Sequence, residues 1–168
     1  KNMEFKELVE TYKENIDSFF LEKENYQNKI RTLIKEKELF VEKLLKTKRI
    51  LLSQADNKRM ESIKKLVDKK TAEIESILIS NSTKTDKESL INSVRDLYDH
   101  HKKNELNIAW KDEQEKIKKT YDEEINKVES NSIEKQNQLS SSFIKKIADI
   151  SEYKDVLENE LSKYNPTS

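Results

Sequence analysis

The sequence predicts an all-α protein: a long antiparallel coiled-coil hairpin of two helices of about 80 residues, assembling into a dimer or a higher helical bundle. Three observations predict it. Glycine is absent from all 168 residues and the only proline is Pro166, where an average globular chain of this length carries roughly a dozen glycines and about eight prolines. Without them there is little to stop a helix or to shape a concave site. Charged residues make up 39% of the chain and apolar residues 33%, with 33 basic side chains balancing 33 acidic ones. Zero net charge and a near absence of proline argue against disorder and for solvated helices with one narrow apolar seam. Third, apolar residues recur in alternating steps of three and four, the spacing that keeps one stripe facing a partner helix.

The first helix is expected over residues 1–80. Its heptads place Val9, Ile16, Ile30, Leu44 and Leu51 at a, and Phe5, Tyr12, Phe19, Tyr26, Leu33 and Phe40 at d. A strict heptad over this length imposes a left-handed supercoil. Aromatic d positions suit an antiparallel pair or a wider bundle better than a tight parallel dimer. Lys23 and Lys37 fall at a and Thr47 at d, weakening the seam there. The register slips over Ser53–Arg59 and restarts with Met60, Ile63, Val67, Ile74 and Ile77.

A polar turn is expected over 81–86, within the run Ser80–Asp86 that holds no apolar side chain. Asn81 is the candidate for a left-handed helix end, the position glycine usually takes. Thr85 and Glu88 have capping-box spacing, with Asp86 an alternative N-cap. The second helix then runs over 87–165. Its seam carries Leu90, Val94, Leu97 and His101, then Leu106, Trp110, Ile117, Tyr121, Ile125 and Val128. Apolar residues thin out over Glu129–Ser142 and return with Phe143, Ile147, Ile150, Leu157, Leu161 and Tyr164, before Asn165-Pro166 ends the helix.

The alternative is one continuous or gently broken helix paired wholly by other chains, since Ser, Thr and Asn are poor helix formers but not breakers. Folding the halves together instead brings residue i near 166 minus i, so Phe19 meets Ile147 and Phe5 meets Leu161. The thin stretch Glu129–Ser142 then lies opposite the zone of Lys23 and Lys37. Apolar residues beside the stripe, Phe20, Leu45, Leu66, Tyr98, Ile144 and Tyr153, are expected to pack one hairpin on another.

Candidate chemistry is sparse. His100 and His101 are the only histidines. Adjacent helical residues diverge by about 100°, so Asp96–His100 and His101–Glu105 offer pairs at i, i+4 but no complete ligand set. A solvated His100 and a seam-edge His101 are expected, with no metal and no cofactor. A chain without glycine has no phosphate-cradling loop and no nucleophile elbow, and no small-molecule substrate or enzymatic role is expected. Trp110 is read as a large seam or oligomer-interface residue. Cysteine is absent, which removes disulfides and thiolate metal sites.

Charge is uneven along the chain. Residues Glu4–Glu24 hold seven acids against three lysines, and Lys43–Lys70 hold ten bases against three acids. The basic stretch, notably Lys64, Lys65, Lys69 and Lys70, is a solvated face, a docking surface for the acidic end of a neighbouring molecule, or a contact for an anionic surface. No apolar run is long enough to span a bilayer, no signal peptide is visible and the compartment is unknown. The chain does not begin with Met and is read as a soluble segment of a larger protein. The expected function is a structural oligomerisation, scaffold or tether module whose partners are itself and other helical proteins. The alternatives are a membrane-associated or membrane-remodelling scaffold using the basic 43–70 face, and a mechanical arm of a nucleic-acid-handling complex.

Overall fold

A computed structural model describes residues 4–164. Of these, 95% are helical and none lies in a strand. Helix α1 spans Phe5–Leu78, α2 spans Lys84–His101 and α3 spans Asn107–Ser162; a π-helical segment, Lys102–Leu106, joins α2 to α3. The predicted helix end at Asn165-Pro166 lies outside the described residues. The chain divides into two compact units, one formed by residues 4–41 with 126–164, the other by Glu42–Ile125.

In the first unit the two segments run antiparallel. The Phe5 ring lies 5.7 Å from Tyr164, Tyr12 Oη donates to Glu158 at 2.8 Å, and Asn15 Nδ2 donates to the Ile150 carbonyl at 3.3 Å. Further along, Lys146 pairs with Glu22 at 3.6 Å and the Tyr26 ring stacks on Phe143 at 4.3 Å. Phe19 and Ile147 line one groove, as the folded-back reading expects. The ring contact of Phe5 is with Tyr164, three residues beyond the expected Leu161.

The second unit is antiparallel too and contains the turn. Lys48 bridges to Asp122 at 2.8 Å, Lys70 to Asp99 at 3.5 Å, and Tyr98 Oη donates to Glu73 at 2.8 Å. The turn is made without glycine and without any positive φ among the described residues, so Asn81 does not adopt the left-handed conformation expected of it. Instead, side chains take up carbonyls at the end of α1. Lys87 Nζ donates to the Leu78 carbonyl at 2.9 Å and Ser80 Oγ to that of Ile77 at 2.7 Å. An ammonium there also complements the negative end of the helix dipole.

The helix that follows starts two residues earlier than Thr85-based capping predicts. Thr83 is the N-cap, extended at φ −64° and ψ 158°, and its hydroxyl accepts from the Asp86 amide at 3.2 Å. Thr83 wins because its extended backbone points the hydroxyl at an orphan amide, whereas Thr85 already lies inside α2.

The π segment interrupts what the sequence reads as a regular second helix. Shielded positions before it step by four and three through Lys87, Ile91, Val94, Tyr98 and His101, and after it through Leu106, Trp110, Gln114, Ile117 and Tyr121. The five-residue interval from His101 to Leu106 would swing Leu106 off the stripe in an α-helix. A wider turn, closed by the Asn107 amide on the Lys102 carbonyl, absorbs the extra residue.

Replacing Thr83 by Ala is expected to destabilise the protein by about 1 kcal/mol, while Thr85→Ala is close to neutral. Urea melts followed by helical circular dichroism compare the two, and equal losses would reassign the cap.

Candidate interaction surface

Within each unit the shielded stripe departs from a strict heptad. In the first unit the return segment is least exposed at Val128, Ser132, Gln136, Leu139, Phe143, Ile147 and Ile150, by steps of four, four and three. An eleven-residue repeat of that kind tracks the 3.6-residue turn of a straight helix more closely than a heptad does, and it does not call for left-handed winding. In the second unit Leu51, Ala55 and Arg59 are again separated by fours.

This spacing redistributes the predicted interface residues. Leu157 is buried, and Val9, Tyr12, Ile16, Phe19, Tyr26, Ile30, Leu33, Leu44, Leu51, Ile63, Ile74, Trp110, Ile117, Tyr121, Phe143, Ile147, Ile150 and Leu161 are partly buried. Phe5, Phe40, Val67 and Leu97 are exposed. Val41, Leu66 and Tyr98 stand on the stripe in place of Phe40, Val67 and Leu97, because the three-residue and four-residue steps fall in the opposite order there: 37, 41, 44; 63, 66, 70; and 94, 98, 101. The buried residues missed by heptad reasoning are Leu8, Ala55, Asn15 and Ser132. Ala55 and Ser132 are small residues that let helices approach closely, a role that apolar periodicity does not reveal.

Much of the stripe is polar. Glu22, Lys37, Lys48, Arg59 and Lys70 occupy it, laying aliphatic stems between the helices while their heads reach water or a partner. The thin zones do meet: Lys37 lines a groove with Asn131, Ser132 and Lys135. Ser132 accepts from Gln136 Nε2 at 3.1 Å.

The densest polar cluster sits in the second unit. One oxygen of Asp56 accepts from Trp110 Nε1 at 2.7 Å and from Gln114 Nε2 at 2.8 Å. Arg59 lies over the Trp110 ring, 4.4 Å from its centre, and Arg59 Nε donates to Asn107 Oδ1 at 3.0 Å. Spacings of three and four on each helix put these groups on facing sides. Trp110 therefore sits at the seam as a cation–π and hydrogen-bonding anchor, not as a plain apolar filler.

His100 is exposed, with Nδ1 2.6 Å from Asn104 Nδ2, and His101 is partly buried, with Nδ1 2.6 Å from Glu105 Oε2. Among the described residues no group of three or more His, Asp or Glu is placed to hold a metal ion. Lys64, Lys65 and Lys69 are exposed, while Lys70 is engaged with Asp99. No helix among the described residues is long and apolar enough to cross a membrane.

Two tyrosines are perturbed. The hydrogen bond to Glu158 holds the Tyr12 phenol above its ordinary value of 10.0, with lost solvation and carboxylate repulsion adding to it; Glu73 does the same for Tyr98. Both hydrogen bonds need the neutral phenol.

No protein-family description, curated protein or solved structure matches this chain.

Asp56→Ala removes the shared acceptor of Trp110 and Gln114. It is expected to cost about 1 kcal/mol and to change Trp110 fluorescence in the folded state; an unaltered emission spectrum would place Trp110 elsewhere. Because both tyrosine pKa values are raised on folding, their stabilisation is complete below pH 10 and is lost as pH climbs through the folded values. Thermal melts should fall above pH 10 in the wild type and fall less steeply in Tyr12→Phe, and parallel declines would remove the Tyr12–Glu158 bond from the account.

Proposed function

We propose that this chain is a non-enzymatic scaffold or tether module: an antiparallel coiled-coil hairpin that associates with itself and with other helical proteins, spacing the parts of a larger protein to which it belongs. The observation that carries this reading is how little the paired helices bury. Leu8, Ala55 and Leu157 are the buried apolar residues among those described, while Phe20, Ile144, Met60 and Leu97 remain 60%, 64%, 65% and 66% exposed. Small apolar interiors are commonly completed by oligomerisation. Exposure of Leu45 and Tyr153 adds to the area offered beside the stripe.

The basic stretch supports a second reading, contact with an anionic membrane surface. Lys64, Lys65 and Lys69 point to solvent, but Lys48 and Lys70 are already held by Asp122 and Asp99, which lowers the charge available to lipid. The reading as a mechanical arm of a nucleic-acid-handling complex rests on the long helices alone.

Light scattering coupled to size exclusion should give a mass of at least two 20.0 kDa chains at micromolar concentration, independent of lipid. A single-chain mass at every concentration would overturn the self-association at the centre of this proposal. Co-sedimentation with anionic vesicles, lost in a variant with Lys64, Lys65 and Lys69 reversed, would favour the membrane reading instead.

A further inference from the structure

Resting on the self-association just proposed, the structure can be taken one step further, to which surfaces meet. In the first unit, Glu4–Glu24 is acid-rich, and its exposed carboxylates Glu10, Asp17 and Glu24 have no ion pair among the described residues. The same segment borders a recess of about 510 Å³ whose lining includes Ile16, Phe19, Phe20 and Ile147. Asn15 is 7% exposed at its edge, and its Oδ1 has no hydrogen-bond partner. In the second unit, Lys43–Lys70 is strongly basic, and Lys64, Lys65 and Lys69 are likewise exposed and without an ion pair among the described residues. Met60 and Val67, 65% and 48% exposed, stand four residues before and three after Lys64 on one side of the helix, while Lys65 and Lys69 lie around it.

We infer that these two surfaces bind each other between copies: the acidic, recessed face of the first unit in one molecule receives the basic stretch of the second unit in a neighbouring molecule. Each surface sets an unpaired charge beside exposed apolar side chains, Asp17 next to Phe20 in one and Lys64 next to Met60 and Val67 in the other, and the charges are opposite in sign. Met60 is the adaptable side chain best suited to fill an irregular apolar recess. Opposite charge then selects which stretch enters and speeds encounter, while the apolar contacts supply the affinity. Like surfaces placed together would instead set carboxylate against carboxylate or ammonium against ammonium. Every copy carries one of each surface, so a second copy is the partner that this chain always has at hand.

The test is a charge swap followed by sedimentation velocity. One variant carries Glu10→Lys, Asp17→Lys and Glu24→Lys; the other carries Lys64→Glu, Lys65→Glu and Lys69→Glu. These positions are solvent-exposed, and helical circular dichroism confirms that each variant is folded. The wild type should associate, and more weakly as salt is raised. Each variant alone should associate at least about a hundredfold more weakly, and an equimolar mixture should recover wild-type affinity, because both contacts are again between opposite charges. Phe20→Gln should weaken association about tenfold without altering charge. Variants that associate like the wild type, or a mixture that fails to recover, would overturn this pairing while leaving self-association standing. A wild type that stays monomeric overturns both.

Discussion

Everything in this structure depends on helices that pair while having very little apolar surface to pair with. A chain that is one-third apolar cannot fill an ordinary interior, so lysine, arginine and glutamate take positions on the contact stripe and contribute their stems. Their heads then find partners across the seam, as Lys48 does with Asp122 and Glu22 with Lys146. Exposed ion pairs contribute little individually. What they add is register, because a helix that slides along its partner loses these bridges.

The same scarcity gives weight to a few directional contacts. The Tyr12–Glu158 and Tyr98–Glu73 hydrogen bonds each join helices within one unit, and the Asp56–Trp110–Gln114 cluster does so with a single carboxylate oxygen. Asn15 is the costlier case. It is nearly buried and donates to the Ile150 carbonyl, yet its own carbonyl oxygen is unpaired. A buried amide of this kind costs stability and can specify register or partner number in helical assemblies. Its place beside the recess of the first unit ties that cost to the surface inferred to receive a second copy.

Glycine's absence acts on the backbone as the apolar shortage acts on packing. The reversal after α1 has to be built by side chains, so Ser80 and Lys87 take carbonyls and Thr83 takes an amide. The π segment is a comparable solution within a helix: an added residue is absorbed by a wider turn rather than by a break, which keeps Trp110 in phase with Asp56.

By itself the sequence determined that the protein is helical and pointed to a reversal near Ser80–Asp86, with the zone of Lys23 and Lys37 opposite Glu129–Ser142; Lys37 indeed lines a groove with Asn131, Ser132 and Lys135. These follow from composition and periodicity, which are properties of single segments. Only the tertiary structure decided where the shielded stripe leaves the heptad. Heptad counting puts Phe40, Val67 and Leu97 at the contact, but a reversed order of the three-residue and four-residue steps hands it to Val41, Leu66 and Tyr98. Neither the cap at Thr83 nor the π turn at Lys102–Leu106 could be read in advance: the cap depends on the extended backbone at Thr83, and the π turn on keeping Leu106 and Trp110 on the shielded stripe. Burial of Ala55 and Ser132 was equally invisible, because small residues register in packing and not in hydrophobic pattern.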